Sequence, residues 1–313
     1  MTPVDWVIGA RGLLGSAVVR SLSLRGTPAW RGPVIRWGGP EAEDDLRAGV
    51  EHLVAHAGDR PWRVFWCAGV GVTGSSAASL HTEVARFESL LAAIAALPPE
   101  VRERGLLFVA SSAGAMYAGS HGAPFDESTP PHPLGDYGLA KQEIERAAER
   151  FAAGASVRCV VGRIANLYGP GQSLAKPQGL ISHLCRAHVR RTPLSVYVPL
   201  DTLRDYIFVD DCAALVLATC ERLVQEPTGA YRMKVLASGR SVSIGALLGE
   251  FRRVVGRRPE IVMGSSPVSA LQSRDLRMRS TVWPDLDQRA STNLADGIAR
   301  TLQGIRLTMA VAS

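Results

Sequence analysis

The sequence predicts an α/β fold, a doubly wound parallel sheet followed by a smaller, mixed α/β lobe. Three observations carry this. Strand-like and helix-like segments alternate through the first half. A turn spaced G-x-x-G-x-x-G joins the first strand to the first helix. The second half is less regular, with short strands set between helices. Alternation of this kind needs crossover connections, which put helices on both faces of parallel strands.

Taken in order, Val4–Ile8 is a short apolar run and Leu13–Leu24 has helical spacing. Pro33–Trp37 is strand-like. Glu41–Ala57 reads as an amphipathic helix with Leu46, Val50, Leu53 and Val54 on one side. Val64–Cys67 is a strand ending in Ala68 and Gly69. Leu80–Leu97 is a periodic helix stopped by Pro98 and Pro99. The strand Leu106–Ala110 runs into Ser111 and Ser112. The helix Asp136–Ala153 ends near Gly154, and Val157–Val161 is another strand. Further helices are expected at Gly179–Arg190, Asp211–Val224, Ser243–Val255 and Leu294–Leu302, with short strands near Ser195–Val198, Tyr206–Val209 and Tyr231–Leu236. No linker rich in Gly, Ser or Pro divides the halves. Residues 1–170 are read as the sheet domain, with 200–235 returning a strand and helix to it, and 171–313 as the lobe.

Composition narrows the function classes. The net charge is +6, but the basic residues are scattered and the densest group is Arg186, Arg190 and Arg191 around His188. Solvated faces account for this better than a nucleic-acid surface. No apolar run reaches the length of a membrane span. The N-terminal apolar stretch leads straight into the glycine turn, unlike a cleaved leader, so a cytoplasmic protein is expected. The five cysteines are odd in number and widely spaced, without a C-x-x-C. Disulfide and zinc frameworks are therefore not expected. The seven histidines show no metal-ligand spacing, and no metal is predicted.

The turn reads Gly9-Ala10-Arg11-Gly12-Leu13-Leu14-Gly15. Gly9 permits a tight turn, Gly12 close approach of a pyrophosphate, and Gly15 close helix–strand packing. The helix start at Leu13 and Leu14 offers unpaired N–H groups and a partial positive charge. This is the arrangement of a Rossmann-type dinucleotide site, with Ala68 and Gly69 at the next strand end beside it. An acidic residue after the second strand would bind the ribose of NAD. Here Arg36 takes that place, and Arg11 lies within the turn. Two guanidiniums suit a 2′-phosphate, so the expected cofactor is NADP in preference to NAD.

Tyr137 and Lys141 form a Y-x-x-x-K, which shares one face of a helix. A phenol is a poor base at neutral pH, and a neighbouring ammonium favours its ionised form. Such a tyrosine can exchange a proton with a hydroxyl or carbonyl while hydride moves. Six tyrosines and three lysines (Lys141, Lys176 and Lys234) give only about 0.06 chance pairs at that spacing. The lysine is informative in a chain that otherwise uses arginine. Ser112, at the end of its strand, is placed to bond the reacting oxygen, with Ser111 a competitor for that role.

Together these residues resemble the extended short-chain dehydrogenase/reductase family, the NAD-dependent epimerase/dehydratase group. Four motifs carry the likeness, which spans roughly Val4 to Leu236: the glycine turn, Ser111 to Tyr117, Tyr137 to Lys141, and Arg163-Ile164-Ala165-Asn166-Leu167-Tyr168-Gly169-Pro170-Gly171. A further segment, Leu203 to Asp211, is similar to the family's R-D-F-I-Y-V-D-D. The resemblance implies that Ser112, Tyr137 and Lys141 are catalytic. It implies that the turn residues, Arg36, Ala68, Gly69, Ser111, Tyr137 and Lys141 meet the cofactor, and that Ser112, Asn166, Leu180 and Arg204 meet a nucleotide-sugar substrate. Asp205, Asp210 and Asp211 would fix the local fold and cap the following helix. A homodimer through the helices at Leu80–Leu97 and Asp136–Ala153 is also implied.

There are departures from the pattern. After Ser112 the chain reads Ala113-Gly114-Ala115, without the acidic pair that dehydratases use, which disfavours elimination. The turn with its internal arginine is closest to that of GDP-fucose synthase, but that family's Ser-x-Cys is absent. The expected function is a ketoreductase acting on a nucleotide-linked keto-sugar. An epimerase with tightly held cofactor and a non-catalytic NADP(H) sensor are the alternatives.

Overall fold

The computed structural model describes residues 1–69, 71–72, 74–175, 178–264 and 273–311; Lys176 lies outside them. The chain opens with β1 (Val4–Ile8), α1 (Leu13–Leu24), α2 (Ala42–Ala57), β2 (Trp62–Trp66) and α3 (Ala77–Ala95). The single turn α4 (Pro99–Arg102), β3 (Gly105–Ser112), the short α5 (Ala113–Met116), α6 (Asp136–Ala155) and β4 (Arg158–Ile164) follow. Next come β5 (Asn166–Tyr168), α7 (Leu180–Arg190), β6 (Leu194–Val196), β7 (Leu203–Phe208), α8 (Val209–Leu223) and β8 (Tyr231–Leu236). The chain closes with β9 (Ser241–Ser243), α9 (Ile244–Val255), β10 (Ile261–Met263), β11 (Asp275–Leu276), a 3-10 turn (Pro284–Arg289) and α10 (Leu294–Val311).

The main sheet has the order β1-β2-β3-β4-β8, and every neighbouring pair is parallel. Its strands alternate between two cores. Val7, Phe65, Phe108 and Val160 face one side, where Leu14 and Val18 of α1 and Val216 of α8 pack on them. Trp6, Val64, Trp66, Leu107 and Val161 face the other, against Val50 of α2, Phe87 of α3 and Ile144 of α6. Burial on both faces explains why the strands read as continuous apolar runs. A smaller group of strands, β11-β7-β5 with β9 antiparallel to β7, and the parallel pair β6–β10 lie outside the main sheet.

One polar pair crosses this apolar interior. Asp5 and Arg63 are register partners on β1 and β2. Arg63 donates Nε to Asp5 Oδ1 at 2.5 Å and Nη2 to Oδ2 at 2.7 Å. Both side chains are buried, so the fork of the guanidinium matches both carboxylate oxygens where water cannot.

The structure corrects the reading at several places. Pro33–Trp37 is not a strand; the isolated bridge nearby, Trp6 to Trp30, lies ahead of it. Pro33 has no N–H to give a ladder, the Arg36 N–H is spent on the Asp45 carboxylate at 2.9 Å, and Val34 is exposed. The last helix runs to Val311, well past Leu302. Helix α8 begins at Val209, with Phe208 as its N-cap and no side-chain cap. Asp210 and Asp211 therefore sit inside its first turn. Asp211 instead accepts from Thr292 N and Oγ1 (2.7 and 2.8 Å), and Asp210 pairs with Arg20 and Arg300.

Removing one partner of a buried pair leaves an uncompensated charge. Asp5→Asn is expected to lower unfolding stability by about 3 kcal/mol, read from urea denaturation. The double variant Asp5→Leu/Arg63→Met, which buries no charge, should lose less than the single one.

Candidate functional site

All five parallel strands end at one edge, and the loops leaving it build the site, as open α/β sheets require. The glycine turn leaves β1. Gly9 has φ +87°, and a Cβ there would lie 2.7 Å from Ala68 N. The turn is thus pressed against the end of β2. Gly12 N–H donates to the Gly9 carbonyl at 2.9 Å. A Cβ on Gly15 would overlap that same carbonyl oxygen, so only glycine lets α1 start directly under the turn. Helix α1 carries no side-chain cap and no acidic residue in its first turn. The uncapped N–H groups at Leu13 and Leu14 fit a pyrophosphate.

The two arginines assigned to the cofactor differ. Arg36 grips Asp45 with Nε (3.0 Å) and Nη2 (2.7 Å), and this hydrogen bonding holds the Asp45 carboxyl below the usual range. The fork of Arg36 is therefore occupied, and Nη1 remains. Arg11 is exposed and makes no ion pair among the described residues. Beside them Trp37 packs edge-on against Trp66 (ring centres 6.1 Å apart), with the Arg86 guanidinium 5.8 Å from the Trp37 ring centre.

A cavity of about 890 Å³ opens at the strand ends toward the lobe. Ser112, Tyr137, Asn166, Leu180 and Arg204 all line it, although they come from five separate segments. Ser112 sits at the N-cap of α5, accepting from Ala115 N at 3.3 Å. Ser111 points elsewhere. It is buried and donates to Glu145 at 2.5 Å. Glu145 also takes Arg163 Nη2 at 2.7 Å, and Arg163 Nη1 reaches the Tyr117 hydroxyl at 2.8 Å. Tyr117 in turn donates to the Asp126 carbonyl, and burial pushes its hydroxyl up to about 12. This network braces α6 and α5 behind the cavity.

Tyr137 stands on the cavity wall, while Lys141, one turn on, is buried beneath it. The Lys141 ammonium is 5.8 Å from the Tyr137 ring centre and 2.8 Å from Glu83 Oε1. Burial works against this ammonium. The neighbouring Tyr137 and Glu83 outweigh it, and the Lys141 pKa is raised.

Arg204 is the opposite case. It is buried, donates only to the Leu203 carbonyl at 2.8 Å, and pairs with no carboxylate among the described residues. Burial pulls its pKa below the ordinary arginine value. Arg204 is thus a buried cation on the cavity wall with no ion pair among the described residues, and Asp275 is the carboxylate whose charge reaches it. Asn166 gives one N–H to the Asp205 carbonyl at 3.0 Å.

Sequence reasoning did not reach several site residues. His183, Tyr197 and Tyr206 also line the cavity, and Arg186 donates to His183 Nδ1 at 2.9 Å. They lie on α7, after β6 and on β7, in segments without spacing that singles them out. Glu83 lies within the helix read at Leu80–Leu97 and was not singled out. Its burial beside Lys141 is a tertiary fact. Among the described residues all five cysteines are free, and no helix is long and apolar enough to cross a membrane.

Known proteins resemble this chain in sequence and in fold. The model of the NAD dependent epimerase/dehydratase family matches residues 6–233. Over 200 residues the chain is 24% identical to an Escherichia coli dTDP-4-dehydro-6-deoxyglucose reductase, covering 64% of this chain and 61% of that protein. The match thus spans less than two thirds of that relative. The fold is shared with Thermotoga maritima UDP-glucose 4-epimerase, solved with UDP-glucose, at TM-score 0.81 and 21% identity, covering 97% of this chain and 99% of the other. It is also shared with Bacillus cereus UDP-glucuronic acid 4-epimerase, solved with UDP-glucuronic acid and NAD, at TM-score 0.74 and 16% identity over 97% and 99% of the two chains.

The packing at Gly15 gives a direct check. Gly15→Ala is expected to cost about 1–3 kcal/mol through overpacking and to weaken dinucleotide binding. Tryptophan-fluorescence titration with NADP+ and NAD+ and a thermal melt read the two effects. Unchanged affinity for both dinucleotides would exclude the turn as the pyrophosphate site.

Proposed function

The chain belongs to the NAD dependent epimerase/dehydratase family, and on that premise we propose that it is a nicotinamide-dependent ketoreductase acting on a nucleotide-linked keto-sugar. The observation that carries this is the cavity wall itself. A phenol (Tyr137), a hydroxyl (Ser112) and a buried guanidinium (Arg204) with no ion pair among the described residues face one space. That set matches a substrate with a reactive carbonyl at one end and a phosphate at the other.

In this mechanism Arg204 and Asn166 anchor the diphosphate end. The substrate is thereby oriented with its carbonyl toward Ser112 and Tyr137, and the effective concentration of the reacting groups rises. Ser112 donates a hydrogen bond to the carbonyl oxygen. Tyr137 delivers its proton to that oxygen as the carbon is reduced. Lys141 biases the phenol from below. The N–H groups of Leu13 and Leu14 would hold the pyrophosphate of a nicotinamide cofactor, which when bound would supply the hydride. Helix α5 carries no carboxylate, so the chain lacks an acid there to drive elimination.

The cofactor reading is NADP(H), with Arg11 the residue free to hold a 2′-phosphate and Arg36 contributing through Nη1. A second reading, an epimerase that oxidises and re-reduces its sugar on retained cofactor, is favoured by one observation. The Arg36 fork is already committed to Asp45, which weakens the case for a 2′-phosphate. A purely binding sensor has no use for the Tyr137–Lys141 pair. We place the protein in the cytoplasm, where its free cysteines stay reduced. We also propose a homodimer through α3 and α6, which pack together. Ala78, Thr82, Ala85 and Ala92 lie exposed on α3, small enough for close helix approach.

Tyr137→Phe should lower turnover by about 100-fold or more while leaving dinucleotide affinity intact, measured by absorbance at 340 nm with dTDP-4-dehydro-6-deoxyglucose. Stoichiometric NADPH oxidation supports the reductase; sugar conversion without net NADPH loss supports the epimerase. NADH serving as well as NADPH would remove the cofactor preference. Sedimentation equilibrium is expected to give twice the 33.4 kDa chain mass; a monomer would refute the dimer.

A further inference from the structure

Glu83 is a buried carboxylate on α3. Desolvating a carboxylate is costly, and an apolar side chain would fill the same space. Its two oxygens are both used. Oε1 accepts Lys141 Nζ at 2.8 Å, and Oε2 accepts the Gly71 N–H at 3.1 Å. Gly71 lies in the loop leaving β2, and the next residues of that loop, Val72, Gly74 and Ser75, line the cavity. One side chain therefore joins the lysine under Tyr137 to the cavity wall.

The charges around Lys141 are few. On its own helix α6 are Tyr137 and Glu145. The Glu145 carboxylate is taken by Arg163 from β4 and by Ser111 from β3. On α3, Arg86 turns away toward Trp37 and the Gly39 carbonyl. Helix α5 has no titratable side chain, and the β2 loop offers a backbone N–H at Gly71. Glu83 is thus the carboxylate that faces the ammonium directly.

We infer that Glu83 is a positioning residue of the proton-transfer system: it fixes Lys141 against the cleft loop and offsets the ammonium's charge at Tyr137. The inference rests on the reading of Tyr137 and Lys141 given above. It has a signed consequence. An ammonium favours the phenolate, and a carboxylate beside that ammonium reduces the effect. Removing the negative charge while keeping the shape leaves the ammonium unopposed, so Tyr137 releases its proton at lower pH.

The test is an NMR titration of protein labelled with [ζ-13C]tyrosine and loaded with NADP+, then with NAD+. The Tyr137 resonance is assigned by its loss in Tyr137→Phe. Glu83→Gln is expected to move the Tyr137 titration toward acid by about tenfold in its proton dissociation constant. The alkaline limb of the pH–rate profile for carbonyl reduction should move the same way. If Glu83→Gln does not fold, Glu83→Asp decides. Drawing the charge back by one methylene shifts the titration in the same direction by a smaller amount. A merely structural glutamate would lower yield or turnover without moving either curve. A titration that coincides with wild type, in whichever variant folds, overturns the inference. If Tyr137→Phe retains full turnover, the parent reading fails instead, and the two failures are told apart.

Discussion

Burying both faces of a five-strand parallel sheet is the constraint from which the rest of this molecule follows. With Phe65, Phe108 and Val160 packed on one side and Trp66, Leu107 and Val161 on the other, the sheet has no solvated face on which chemistry can sit. Polar side chains are driven to the strand ends. There, short loops satisfy the backbone and can hold a ligand. The glycine turn, the Ser111–Ser112 strand end and Asn166 all lie at this one edge because parallel strands all finish there.

Several charges that enter the interior come paired, while buried Asp205 accepts the Ser238 N–H and forms no ion pair among the described residues. Arg63 meets Asp5, Arg163 meets Glu145, and Lys141 meets Glu83, each with both partners buried. Lys234, fully buried on β8, bonds Ser280 at 2.7 Å and the Val282 carbonyl at 2.6 Å and pairs with Asp287. Glu127 binds Val235 N, Ser280 and Thr281 from the other side. These contacts pin the chain before the 3-10 turn to the last sheet strand. Against this background Arg204 stands out. It is as buried as the others and forms no ion pair among the described residues, with Asp275 the carboxylate in its electrostatic surroundings.

Helices were legible wherever one apolar face repeated at 3.6 residues, as on α2 and α3, and strands wherever an apolar run met a turn, as at Val4–Ile8. The misreading at Pro33–Trp37 has a local cause. The composition suits a strand, but Pro33 lacks a donor and the Arg36 N–H prefers the Asp45 carboxylate. Short elements such as β9 and β11 were invisible because two or three residues carry no period. Site residues were legible where spacing encodes shared geometry: Tyr137 and Lys141 are four positions apart, and successive turn glycines three apart.

By itself, then, the sequence determined the sheet architecture, the glycine turn and the tyrosine–lysine pair, since each depends on neighbours along the chain. Only the tertiary structure decided which serine faces the cavity, that Arg36 is held by Asp45, that Arg204 forms no ion pair among the described residues, and that Glu83 sits against Lys141. Hydrogen bonds and ion pairs between segments dozens of residues apart depend on how the elements pack, and local spacing holds no record of that.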